Sequence, residues 1–356
     1  MTTRVTYLLG AGASANCLPT VQTLMDELKA LELKIIELIR SEYDIGPLSD
    51  NFWSIDIGKL NGYRTFLEHL MWLRKNCENH ETVDTLAKRF FLTGGENSRD
   101  LSKLKLTLSA VFTLLQCSNP LDNDRNQYPD RRYDTLLSRL IKGKPGELYI
   151  PENIKFLSWN YDLQLEFAAM TYLGEADIID MLIKLKSFPI HFNFTDGNLP
   201  SIVHLNGIAG MYEYDNNSKT NHLYRGFRKE WTKLFDEISF IFERPYQHSM
   251  SVNNLFTFAW EGKRISAQAV LAARKIASAT DVMVVIGYSV PYFNNEIDQQ
   301  IFGSFINSGG IQKKIWFLNP GLDGSVLTEQ FDINEKFIKH KADCSEFHIP
   351  NGALSN

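Results

Sequence analysis

The strongest constraint on the fold is one strand signal followed by a long gap. Val5-Thr6-Tyr7-Leu8-Leu9 is a short apolar, β-rich run that stops at Gly10-Ala11-Gly12-Ala13-Ser14-Ala15. Such a run, closed by glycine, suits a parallel strand buried on both faces. Between Thr20 and Tyr149, however, the sequence reads as helices and polar connectors. Leu24, Leu28, Leu31, Ile35 and Leu38 recur at three- and four-residue steps, placing them on one helical face. Further helices are predicted over 63–76, 81–92, 101–117 and 131–142.

After Pro151 the pattern alternates. Strands are predicted over 154–159, 201–205, 255–259, 282–287 and 315–318, with helices over 162–173, 227–242, 263–279 and 294–307. Alternation of this kind implies right-handed crossovers and a parallel sheet. The expected fold is α/β: a Rossmann-type three-layer parallel sheet over 1–19 and 150–356, with a large helical insertion over 20–149. The asparagine-rich stretch Tyr214–Asn221 reads as a surface loop.

Composition narrows the class. The chain has 356 residues, a formal net charge of -5, 44% hydrophobic and 22% charged residues. That length supports a sizeable core without staples. The mildly acidic balance argues against a dedicated nucleic-acid surface. Cys17, Cys77, Cys117 and Cys344 stand singly, so no C-x-x-C pair is present to build a zinc ribbon. Scattered free thiols suit a reducing compartment, and the short apolar start suits neither a signal peptide nor a membrane span. A cytoplasmic protein without membrane contact is expected.

Five strand ends carry polar or glycine residues. Gly10, Gly12 and Ser14 form a G-x-G-x-x-A turn of the kind that lets a backbone approach a pyrophosphate. An ordinary dehydrogenase would next show a second strand ending in an acidic residue, and here that region is a helix containing Asp26 and Glu27. Ser158-Trp159-Asn160-Tyr161-Asp162 follows the second strand, where Asn160 or Asp162 suits either a crevice or a helix cap. Val203-His204-Leu205-Asn206-Gly207 ends another and offers a histidine, a common general base but also a common structural residue. Val284–Ser289 and Trp316–Gly321 end the last two, where turn chemistry is the plainer alternative.

Taken in order, these pieces resemble the sirtuin-like superfamily over most of the chain. GAGAS resembles its phosphate loop and SWNYD its asparagine–x–aspartate motif. HLNG is similar to its histidine–glycine motif, with Leu205 and Asn206 inserted. GYS stands where the family has glycine–threonine–serine, and LNPG resembles its adenosine-side strand. VDTLAKRFFLTGG, FLSWNYDLQLE, FAWEG and VVIGYSVPYFNNEID are further similar to a bacterial antiphage-defence branch that consumes NAD.

The resemblance implies Asn160, His204 and Asp162 as catalytic residues. It implies Gly10, Ala11, Gly12, Ser14, Gly287, Ser289 and Asn319 as NAD-binding residues, with no metal. It also implies a homo-oligomer and a separately encoded activator, such as a HerA-type ATPase or a short Argonaute. Two departures point away from protein deacylation. The zinc cysteines of deacylating sirtuins are missing, and Cys17-Leu18-Pro19-Thr20-Val21 lacks the phenylalanine and arginine of their I-P-x-F-R stretch. Water then becomes the natural acceptor, and the expected activity is hydrolysis of NAD to nicotinamide and ADP-ribose. Two alternatives stay open: a module that senses NAD or ADP-ribose without hydrolysis, and a zinc-free deacylase or ADP-ribosyltransferase. The helical insertion and the tract Phe235–Pro245 are candidate assembly surfaces, although both also suit covering the sheet.

Overall fold

The computed structural model describes residues 2–43, 58–95, 98–117, 129–175, 177–190, 194–195, 197–214, 217–222, 231–243, 252–262, 264–309 and 313–354. The chain divides into two compact units. One comprises Met1–Cys17, Gln127–Ile208 and Thr257–Asn356, the other Leu18–Asn126 and Ala209–Phe256.

The first unit is built on a seven-stranded sheet. Its strands are β1 (Val5–Leu9), β2 (Ile154–Ser158), β3 (Ser187–Phe188) and β4 (Ile202–His204), which lie on one side of the sheet or at its centre. The later strands β8 (Val282–Ile286), β9 (Lys314–Leu318) and β10 (Ile338–Lys341) continue it on the other. The spatial order is β10-β9-β8-β1-β2-β4-β3, and every neighbouring pair is parallel. This is the expected Rossmann-type α/β sheet with flanking helices. From β1 the chain moves to β2 on one side and later returns to β8 on the other. That reversal makes the carboxyl end of β1 a topological switch point, where ligands of open α/β sheets bind.

All five residues of β1 and of β8 are buried, because helices cover both faces. On one face Leu8, Leu157, Val203, Val285 and Phe317 pack in a cluster with residues of α9 (Arg264–Ala279), α10 (Asn295–Asn307) and α11 (Ser325–Phe331). On β1 and β2, the alternate positions Tyr7 and Phe156 stack with ring centroids 5.2 Å apart. Helices α5 (Arg131–Leu140), α6 (Gln164–Leu173) and α7 (Ile178–Lys184) complete this unit.

The second unit holds α1 (Leu24–Tyr43), α2 (Gly58–Cys77), α3 (Val83–Gly94), α4 (Arg99–Cys117) and α8 (Trp231–Glu243). It also holds a three-stranded antiparallel sheet of β5 (Met211–Tyr214), β6 (Asn217–His222) and β7 (Val252–Asn254). Of the predicted stripe, Leu24, Leu28, Leu31 and Ile35 are buried, while Leu38 is half-buried and Ile39 takes the buried position in its place. Tyr63 and Phe66 of α2 pack on Phe235 and Phe242 of α8.

Several expectations differ from what is observed. Residues 127–149 group with the sheet, where α5 packs on α6, and 209–256 group with the helices, where α8 packs on α2. The stretch read as a loop, Tyr214–Asn221, contains most of β6. No strand forms over 255–259. The ladder ends at Asn254, Thr257 N–H bonds the Asn206 carbonyl at 2.8 Å, and Ala259–Glu261 is a short 3-10 turn. Phe235, Ile238, Ile241 and Phe242 of the apolar tract are buried, while Phe240 is exposed. Residues 244–245 of that tract and 227–230 of the predicted helix lie outside the described residues.

Candidate active site

The glycine loop is shaped by its neighbour. Gly10 N–H donates to the Ile286 carbonyl and Gly12 N–H to the Gly287 carbonyl, each at 2.9 Å. A Cβ on Gly10 would lie 2.6 Å from the Gly287 oxygen. Gly287 itself has a φ of 58°, and a Cβ there would lie 2.4 Å from the Ala13 nitrogen. The exits of β1 and β8 thus interlock backbone to backbone, which only glycine permits. Ala11–Ser14 then forms a 3-10 turn.

Residues distant in sequence brace that turn. One terminal nitrogen of Arg132, in α5, donates to the carbonyls of Gly12 and Ala13 at 3.2 and 3.1 Å. The guanidinium also grips Asp130, with a 2.6 Å contact, and the Asp130 side chain is fully buried. Burial opposes the Arg132 charge, but Asp130 outweighs it and holds the guanidinium above its ordinary pKa. The Tyr133 hydroxyl lies 3.3 Å from Ser14 Oγ.

The exit of β2 reaches the same loop. Asn160 donates its side-chain amide to the Gly10 carbonyl at 2.9 Å and to Ser14 Oγ at 3.4 Å. Its own N–H is held by Ser158 Oγ at 3.1 Å. Asp162 accepts the Gln164 N–H at 3.0 Å, which ties it to the residue that opens α6, while Leu163 occupies the cap position. Its carboxyl also interacts with the Ser14 hydroxyl. Burial pushes its pKa up to about 6, with Glu166 adding to the rise, while hydrogen bonds from Gln164 and Ser14 and the nearby His204 pull it back.

His204 closes the third side, at the end of β4. Its Nε2 lies 2.8 Å from Glu166 Oε1, and the two side chains are 2% and 1% exposed. Burial opposes charge on the ring, but Glu166, together with Asp162 and the Asn160 carbonyl, raises the pKa above the ordinary imidazole value. His204 Nδ1, Glu166 Oε2 and Asn206 Oδ1 are buried without a well-formed hydrogen bond. Asn206 donates its amide to the Trp159 carbonyl at 3.3 Å. Unpaired polar atoms are unfavourable in an interior, and three of them belong to side chains at or behind the exits of β2 and β4.

No family model and no curated protein matches the chain. Among solved structures, it is similar to one described as "The Structural basis of Sirtuin Substrate Affinity". The identity is 14%, over 90% of this chain and 84% of that one, with a TM-score of 0.37. A second, "Structural Basis for the Mechanism and Regulation of Sir2 Enzymes", is 13% identical over 93% and 85%, with a TM-score of 0.39. Scores this low carry no inference about activity, so the site stands on its own geometry.

The other two strand ends are occupied differently. Asn319, after β9, donates to the Tyr288 carbonyl at 3.1 Å and accepts the N–H groups of Gly321 and Leu322 at 2.9 and 3.1 Å. Its side chain therefore holds a turn and ties β9 to β8. Ser289 and Ala11 are exposed. Behind this edge, buried Asp298 accepts bonds from the Trp159 indole, at 3.1 Å, and from the Tyr288 hydroxyl. Burial pushes its carboxyl up to about 7 against those two bonds.

Asn160, Asp162 and His204 are thus brought together with Gly10 and Ser14. Gly12 and Gly287 meet in the interlocked loops, and Asn319 joins them only through Tyr288. The sequence reading missed Glu166, Arg132, Tyr133, Asp130, Asn206 and Asp298. One signal existed for Glu166: it is the single charged residue in the mostly apolar helix QLEFAAMTYL. Among the described residues, no group of three or more His, Cys, Asp or Glu could hold a metal ion, and no helix is long and apolar enough to cross a membrane.

Proposed function

We propose that this chain is a sirtuin-like NAD hydrolase that cleaves NAD to nicotinamide and ADP-ribose. The observation that carries the reading is that Asn160 and Asp162 reach the glycine loop at the switch point of the sheet, with His204 beside them. The interlocked loop of Gly10, Ala11, Gly12 and Ser14 would face the pyrophosphate. Gly287 and Ser289 would serve the phosphate side and Asn319 the adenosine ribose.

Asn160, with its amide nitrogen engaged by Gly10 and Ser14, keeps its oxygen as an acceptor able to orient a water. His204 would take a proton from that water or from a ribose hydroxyl. Asp162 would bind the carboxamide or offset positive charge on the sugar. The nearly complete burial of Asn160, Asp162 and His204 suits a reaction from which stray water must be excluded.

The sequence motifs favour a wider role as a cytoplasmic antiphage effector. It would deplete NAD when triggered, acting as a homo-oligomer with a separately encoded activator such as a HerA-type ATPase or a short Argonaute. The test is to incubate purified protein with NAD and quantify both products. Equal release of nicotinamide and ADP-ribose with no protein substrate present is expected. NAD bound but intact, even with candidate activators added, would replace this reading with the sensing module. Consumption only when an acylated or acceptor protein is added would replace it with the deacylase or transferase.

A further inference from the structure

The carboxylate behind His204 has no part in the residue roles above, yet it is the strongest contact the imidazole makes. Glu166 sits on α6, six residues after Asn160, and reaches across to β4. The pair is closed from solvent, and the Ser187 hydroxyl of β3 adds a longer bond of 3.4 Å to the same carboxylate oxygen.

An ionised carboxylate only accepts hydrogen bonds, and a neutral imidazole carries one N–H and one lone pair. With Glu166 on Nε2, the proton belongs on Nε2 and the lone pair on Nδ1. Nδ1 is the buried ring atom with no hydrogen bond of good geometry, and beside Glu166 the ring has the Asn160 carbonyl as its other hydrogen-bond partner. We propose, on the basis of the hydrolase reading, that Glu166 is a positioning residue: it locks His204 in the tautomer whose Nδ1 receives the proton from the water or ribose hydroxyl.

The surroundings are also arranged for the charged product of that transfer. The Asn160 carbonyl favours the protonated ring, and the acidic groups facing it are Glu166 from α6 and Asp162 from the turn before α6. The step balances without any redox partner. Water oxygen bonds to the ribose carbon as the bond to nicotinamide breaks, and the electron pair leaves on the nicotinamide nitrogen. The water proton passes to Nδ1 and then to solvent.

The test uses full-length protein labelled with ¹⁵N-histidine, with the His204 signals identified by their loss in His204→Asn. In buffer alkaline enough to deprotonate the ring, wild type should show Nε2–H and an unprotonated Nδ1. Glu166→Gln, which conserves shape, should lose this preference and move the acidic limb of kcat/KM to lower pH. Glu166→Ala should lower kcat by a share of the roughly 100-fold or more that a general base contributes, with KM little changed. A proton on Nδ1 in the wild type, or a folded Glu166→Gln protein with an unchanged tautomer and pH profile, would overturn the proposal. The spectrum judges the tautomer whether or not NAD is consumed. A wild type that never releases nicotinamide would remove the hydrolase reading itself, and with it the proton transfer.

Discussion

Two halves of one sheet edge use similar residue types for different ends. At the exits of β8 and β9, each polar group of Asn319 is committed to a turn or a neighbouring loop, and Gly287 is there because two backbones meet. At the exits of β2 and β4, buried carboxyls and an imidazole stand close together, and several of their polar atoms lack good partners. Satisfied polar groups stabilise a structure, whereas unsatisfied ones cost stability and are retained where a ligand completes them. Under the proposed hydrolase, the second half would hold the reacting groups and the first would form the wall that carries the phosphate and adenosine side of NAD.

The sharpest way to break this division is to mutate the second half. Asn160→Ala and His204→Ala should each lower NAD turnover by about 10²–10⁴-fold, the range for losing a general acid–base group. His204→Ala also leaves the buried Glu166 carboxylate without its partner, so both variants are compared per folded molecule, with melting temperatures read by calorimetry. Mutating the first half should lower stability more than turnover per folded molecule at saturating NAD. Gly287→Ala places a Cβ against the Gly12–Ala13 backbone at a left-handed φ. It should lose roughly 1–3 kcal/mol from backbone strain alone, before any clash. Denaturant midpoints at unchanged slope would measure this.

Asp298 sits between the halves, holding Trp159 from the β2 exit and Tyr288 from the β8 exit. Asp298→Asn keeps one acceptor for two donors, so it should cost about 1–3 kcal/mol through the donor left unpaired. Turnover should change less than in His204→Ala.

The two buried carboxyls also give stability a pH slope. Folding raises Asp298 from 3.8 to about 7 and Asp162 from 3.8 to about 6. In that window the folded state holds protons that the unfolded state has released, so stability falls as pH rises, by about 1.4 kcal/mol per pH unit for each group. The contribution is fully present below the unfolded pKa and gone above the folded one. Asp298→Asn should flatten the slope of unfolding free energy across this window, and an unchanged slope would show that Asp298 does not titrate there.

Much of this edge could be read in the sequence because its strands are apolar runs with abrupt polar or glycine ends. β1, β2, β4, β8 and β9 all announce themselves in this way. β10 does not: Ile338-Lys339-His340-Lys341 is an edge strand whose charged residues face water, and charge hides strand character while guarding the edge. β3 has only two residues, too few for any period. Asn160, Asp162 and His204 were visible as polar groups at strand ends. Their partners were not, because tertiary packing alone brings Arg132 to Gly12 across 120 residues, or Glu166 to His204 across 38. The helical insertion was visible as a change of period. That 209–256 returns to those helices depends on the packing of α8 against α2, which no local pattern encodes.

The most direct measurement compares Asn160→Ala with Asn319→Ala, following nicotinamide release from NAD and thermal unfolding on the same preparations. The account predicts that folded Asn160→Ala releases no nicotinamide, while Asn319→Ala melts below wild type and its folded fraction still turns NAD over at saturating NAD, with a raised KM. Full turnover by a folded Asn160→Ala protein, or loss of turnover in an Asn319→Ala protein of undiminished stability, would contradict it.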